Sequence, residues 1–184
     1  MPPSKQEILW VLRAQSGDRE AMNQLFLAIQ DPVHRFLRSL GADEQRADDL
    51  LQEVFLTLYR KLRWLREPHL FRPWTYRIAH RIAARSLGSE RRRLERIDDE
   101  AELEDVAAEP TLPEGTDLAP LLDQVSPASR VVLMLHFEQA MELAQIADVL
   151  ELPLGTVKSR LGYGLAVLRK KLGGQDTAAI TGRA

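Results

Sequence analysis

The sequence predicts an all-α protein built as two small helical domains joined by a flexible acidic linker. Three observations predict it. Apolar residues recur at i, i+3, i+4 and i+7 along most of the chain, and the strict alternation of a half-buried strand is absent. A polar segment carrying Pro110, Pro113 and Gly115 interrupts that pattern once. Charge is blocked rather than mixed. Arg60 to Arg96 holds 12 Arg and Lys against 3 acids, Asp98 to Asp117 holds 9 acids and no base, and Leu154 to Lys171 holds 5 bases and no acid. A formal net charge of −2 therefore hides two basic surfaces around an acidic connector. Solvated helix faces are the plain alternative for such runs.

The totals bound the rest. A chain of 184 residues suits one or two small domains. No run approaches the ~20 apolar residues of a membrane span, and "MPPSKQEILW" lacks an apolar signal core. There is no cysteine, which excludes disulfides and thiol chemistry and fits a reducing cytoplasm. His34, His69, His80 and His136 are scattered, none at i,i+4 from another, so no metal site is expected. A Gly-rich phosphate loop is absent too. The expectation is a cytoplasmic protein with no cofactor and no membrane insertion, for which a nucleic-acid enzyme is the least expected class.

The elements follow in order. Ser16 or Asp18 is a plausible N-cap for "SGDREAMNQLFLAI", and Gly41 ends a further segment from Val33 to Leu40. Asp43 can cap a third helix running to about Leu62. "EPHLFRP" breaks the pattern, and a fourth helix runs from Pro73 to about Leu87. Helical pattern resumes near Asp117. Ser126 then reads as an N-cap with Pro127 at the first helical position. Helices are expected at 127–138, 142–150 and 154–171. The resulting bounds are a first domain at 7–93, an acidic linker at 94–116, a second domain at 117–172 and a disordered tail at 173–184.

Three patterns carry chemistry. The first is the helix pair at 142–172. Leu143, Ile146, Ala147 and Leu150 make one apolar stripe, and Val157, Leu161, Leu165, Leu168 and Leu172 make another. The outer face of the second helix bears Thr156, Ser159, Arg160 and Tyr163, with Lys158 beside them. A short turn and a basic face at the helix start describe a helix-turn-helix, whose second helix enters the major groove. Arg160 is placed for a guanine edge, and Thr156 and Lys158 for phosphates near the helix N-terminus. An ordinary helical hairpin with a solvated face fits the periodicity as well.

The second pattern lies on the helix at 47–62. Leu50, Leu51, Val54, Phe55, Leu58 and Leu62 fill an apolar arc, while Asp49, Gln52, Glu53 and Arg60 lie opposite. Leu56 falls within that polar face, as an apolar spot with a polar rim would. Asp49 and Glu53 repel at i,i+4, which a basic partner would offset. In the third pattern, Arg77, Arg81 and Arg85 form an i, i+4, i+8 row followed by Arg91-Arg92-Arg93, close to Trp64, Phe71, Trp74 and Tyr76. Arginines beside aromatics suit melted nucleic acid, with phosphates on the cations and unstacked bases on the rings. The aromatics serve equally well as core.

"SGDREAMNQLFLAI", "DDLLQEVFLTLYRKL", "LFRPWTYRIAHRIA" and "IADVLELPLGTVKSRL", in this order, resemble bacterial sigma factors of the extracytoplasmic-function group. The likeness covers nearly the whole chain outside the linker and tail. It implies a region-two domain in which Asp49, Gln52, Glu53 and Leu56 dock on the β′ clamp helices of core RNA polymerase. Trp64, Phe71, Trp74, Tyr76, Arg77, Arg81 and Arg85 would then recognise and melt the −10 element of promoter DNA. A region-four domain would read the −35 element through Thr156, Lys158, Ser159, Arg160 and Tyr163, and lean on the β flap. An anti-sigma factor is a further implied partner. Members often carry Asn and Asp where this chain has Arg81 and Arg85, His or Arg at Gly162 and Tyr163, and a turn glycine at Glu151. Two alternatives stay open: a sigma-like decoy that only binds an anti-sigma factor, and a stand-alone helix-turn-helix regulator.

Overall fold

The structure, a computed structural model, describes residues 4–99, 122 and 124–180, with side chains over 4–88, 122 and 124–170. The linker reading over 100–116, the helical restart near Asp117 and the side chains of Arg91, Arg92 and Arg93 lie outside the described residues.

Helix α1, Lys5–Gln15, begins where Ser4 Oγ accepts the Glu7 amide at 3.0 Å. Helix α2, Arg19–Ser39, is capped by Asp18, whose carboxylate accepts the amides of Glu20 and Ala21 at 2.9 and 3.1 Å. That settles the choice between Ser16 and Asp18: the Ser16 amide closes α1 instead. Pro32 does not divide α2, because its missing N–H removes a single bond to the preceding turn. Gly41, at φ +101°, turns the chain after α2. Asp43 accepts the Arg46 amide at 2.8 Å and starts α3, Glu44–Lys61. Two 3-10 turns, Leu62–Trp64 and Pro68–Leu70, lead into α4, Phe71–Asp99. This helix extends twelve residues past the expected end at Leu87.

The four helices close over Val11, Leu25, Ile29, Phe36, Val54 and Leu58. In the arc expected on α3, Leu50, Val54, Leu58 and Leu62 are buried, while Leu51 and Phe55 pack at its border. Phe55 stacks on Phe26 of α2 at 4.4 Å between ring centroids.

In the second half Pro127 opens α5, Pro127–Leu133, and Ser126 takes the N-cap position, but its side chain makes no capping hydrogen bond. The helix then widens into a π turn, Met134–Glu138. A capping box between Glu142 and Gln145 starts α6, Leu143–Leu150, and α7 follows at Leu154–Ile180. Helix α7 runs nine residues past its expected end at 171, into the stretch read as a disordered tail. Gly164 has a packing role there. A Cβ at this position would lie 2.7 Å from Leu133 Cδ1, so the glycine lets α7 close on α5.

The halves pack on each other. Helix α4 lies against α5 and α6, α2 touches α5, and the buried apolar residues of both halves form one cluster.

Candidate nucleic-acid and partner surfaces

On α3 the structure brings Asp49, Gln52, Glu53 and Leu56 together on one exposed face. Leu56 is 55% exposed, and Tyr59, one turn on, is 61% exposed. The sequence reading missed Tyr59, because an aromatic at that angle borders the apolar arc and passes for core. The outer face thus carries two adjacent apolar groups inside a polar rim. Glu53 also has an internal partner, since Arg85 Nη2 donates to its Oε1 at 2.6 Å. The like-charge strain expected between Asp49 and Glu53 is relieved in part from α4.

The −10 group divides. Phe71 and Tyr76 lie in the core, 1% and 2% exposed, and neither ring is available to a base. Tyr76 meets the Phe36 edge on α2 at 5.0 Å between ring centroids. Burial pushes the Tyr76 phenol well above its ordinary range. Trp74 is half-buried against the core. Trp64 is exposed, with the Arg63 guanidinium 4.2 Å from its ring centroid. Beside it a cleft of about 700 Å³ opens between the α1–α2 turn and the Leu62–Trp64 turn. Arg19, Tyr59, Arg60 and Arg63 line that cleft with Trp64.

Arg77, Arg81 and Arg85 form the expected row, but each already has a partner. Arg77 Nε donates to the Asp148 carbonyl at 3.1 Å, with Nη2 3.7 Å from its carboxylate. Arg81 Nε donates to Glu151 Oε1 at 2.8 Å, and this bond holds the Glu151 carboxyl below its ordinary range. Higher up, Arg72 Nε lies 3.0 Å from both oxygens of the buried Glu7, while its Nη1 donates to Gln139 Oε1 at 2.8 Å. Arg35 pairs with Glu138 at 3.2 Å. Asp148, Glu138 and Gln139 had no place in the sequence reading, and Glu151 entered it only as a departure at the turn glycine. Their partners lie more than sixty residues away, and no local pattern signals such pairs.

The helix pair folds as a helix-turn-helix. Val157 and Leu161 turn inward, and Thr156, Lys158, Ser159, Arg160 and Tyr163 stay exposed or half-buried on α7. Glu151 closes α6 in the left-handed region, φ 57° and ψ 42°. Among the described residues no three His, Asp or Glu side chains group as a metal site, and no helix is long and apolar enough to cross a membrane.

Comparison with known proteins accords with this division. Residues 25–93 match the family model for Sigma-70 region 2, and residues 121–170 match that for Sigma-70, region 4. The chain is 32% identical over 171 residues to the ECF RNA polymerase sigma factor SigE of Mycolicibacterium smegmatis, an alignment that spans 65% of that relative's length. It is 30% identical over 165 residues to the ECF RNA polymerase sigma-E factor of Escherichia coli strain K12, covering 82% of this chain and 86% of the relative. Among solved structures, CnrH in complex with the cytosolic domain of CnrY superposes with a TM-score of 0.60 at 25% identity, over 92% of this chain and 99% of that one.

Proposed function

The chain belongs to the ECF RNA polymerase sigma factors, and on that premise we propose that it docks core RNA polymerase through α3 and directs it to promoters. Asp49, Gln52, Glu53 and Leu56 are the docking residues, joined by Tyr59. The −10 element meets the α4 face. Arg77, Arg81 and Arg85 take its phosphates, and Trp64, with Trp74 at its edge, takes bases exposed by melting. Phe71 and Tyr76 hold that face from within the core. The −35 element meets Thr156, Lys158, Ser159, Arg160 and Tyr163 in the major groove, with Arg160 at base edges and Thr156 and Lys158 on phosphates. RNA synthesis is the polymerase's reaction, so the chain supplies recognition and strand separation without a catalytic step, cofactor or metal. Its place of work is the cytoplasm. An anti-sigma factor is the expected regulator, competing for the same surfaces.

The observation that carries this reading is the outer face of α3. Leu56 is unused by the domain's own core and is ringed by Asp49, Gln52 and Glu53. The test is binding to purified bacterial core polymerase, with a Gln52→Ala, Glu53→Lys double variant alongside. Loss of two central contacts should weaken binding at least about tenfold. A folded native chain that does not bind active core would overturn the reading.

A further inference from the structure

Among the described residues, four side-chain contacts between the halves run from an arginine on the first to an oxygen acceptor on the second. Arg35, Arg72, Arg77 and Arg81 come from the first, and Glu138, Gln139, Asp148 and Glu151 come from the second. The cations include two of the three in the α4 row assigned to DNA. Arg81 gives its Nε–H to the Glu151 carboxylate and Arg77 gives its own to the Asp148 carbonyl, with the Asp148 carboxylate 3.7 Å from Arg77 Nη2, so neither Nε–H is available to a phosphate oxygen. Helix α6 also packs on α4 along that row.

Glu151 adds an independent observation. It occupies the left-handed region at φ 57°, where glycine is unstrained and a side chain is not. A glutamate there supplies a carboxylate, and that carboxylate is delivered to Arg81 at 2.8 Å. The strained turn residue and the row meet each other.

We propose that α6 is an internal anionic cover for the arginine row of α4. Asp148 and Glu151 occupy, in the free chain, the positions that nucleic-acid phosphates take once the second domain has swung away. The cover is reversible by construction, because Arg81 and Glu151 are both largely solvent-exposed. An exposed pair shifts an equilibrium by no more than about fivefold, and salt screens it. The closed form therefore discourages free DNA binding without preventing opening on a partner. The proposal rests on the reading that the α4 row faces DNA, and its test separates the two.

The chain has no cysteine, so Leu27→Cys on α2 and Ala166→Cys on α7, both exposed positions, accept a donor–acceptor dye pair. The full chain is compared with a Glu151→Gly, Asp148→Asn variant and with Asp31→Asn, a single charge removal on α2 away from the row. Energy transfer should report a longer, broader separation in the double variant only. Affinity of the free protein for a fluorescein-labelled oligothymidylate of about twenty residues should rise about three- to tenfold. Thermal melts check that each variant folds, and glycine suits the backbone at position 151. An unchanged separation overturns the cover, whatever the oligonucleotide does. So does an equal change in Asp31→Asn. A longer separation with flat affinity upholds the cover and overturns the assignment of the row to DNA.

Discussion

Replacing Arg72 by methionine should destabilise the first domain by about 2–3 kcal/mol. Glu7 is only 3% exposed, and Arg72 Nε is its cationic partner, 3.0 Å from each carboxylate oxygen. Removing one member of a buried pair leaves an uncompensated charge, which costs about 3–5 kcal/mol when burial is complete. The Arg72 side chain is 25% exposed, so water reaches the pair from one side and lowers the cost to about 2–3 kcal/mol. Methionine keeps much of the apolar stem, which separates loss of charge from loss of packing. Urea unfolding followed by tryptophan fluorescence is the assay, because Trp10, Trp64 and Trp74 all lie in the first domain. A Glu7→Leu, Arg72→Met double variant removes both charges and should regain more than half of the loss. A shift under about 0.5 kcal/mol for Arg72→Met, or a double variant no more stable than the single, would refute the reasoning.

Two further outcomes can be checked. Gly164→Ala gains helix propensity, but its Cβ meets the fully buried Leu133, so a net loss of about 1 kcal/mol is expected from thermal unfolding followed by circular dichroism. The Asp18 carboxyl is held below its ordinary range, first by the Ala21 amide and then by Arg13. A depressed folded value means that the stabilisation is present above the unfolded value of about 3.9 and is lost as pH falls through the folded one. Acid titration should therefore show a steeper fall in stability below about pH 4 for the native chain than for Asp18→Asn. Parallel curves would remove Asp18 as the cause.

Local rules carried most of the fold. Asp43, Gly41 and Pro127 mark ends because caps and turns depend on a few neighbouring residues. Ser4 and α1 escaped notice, since "KQEILWVLRAQ" is apolar on more than one side: Leu9 and Leu12 are exposed opposite Val11 and Ala14. The split at Pro32 was overruled by packing of Ile29, Val33 and Phe36 on both sides of it. Of the candidate surfaces, the α3 face and the donors of α7 were legible, because helical angle alone sorts inside from outside. Phe71 and Tyr76 were not, because periodicity cannot say which neighbour an aromatic meets.

Two helical domains, with an exposed leucine on the polar face of α3, an arginine row and a helix-turn-helix, were determined by the sequence by itself, since each is a property of a short stretch and its own periodicity; the family showed in the likeness of four such stretches taken in order. Which surfaces face one another was decided only by the tertiary structure. Arg81 and Glu151 lie seventy residues apart, and each reads alone as an odd substitution. They meet because the apolar faces of α4, α5 and α6 bury one another, and that summed packing sets the register of the charges it brings together.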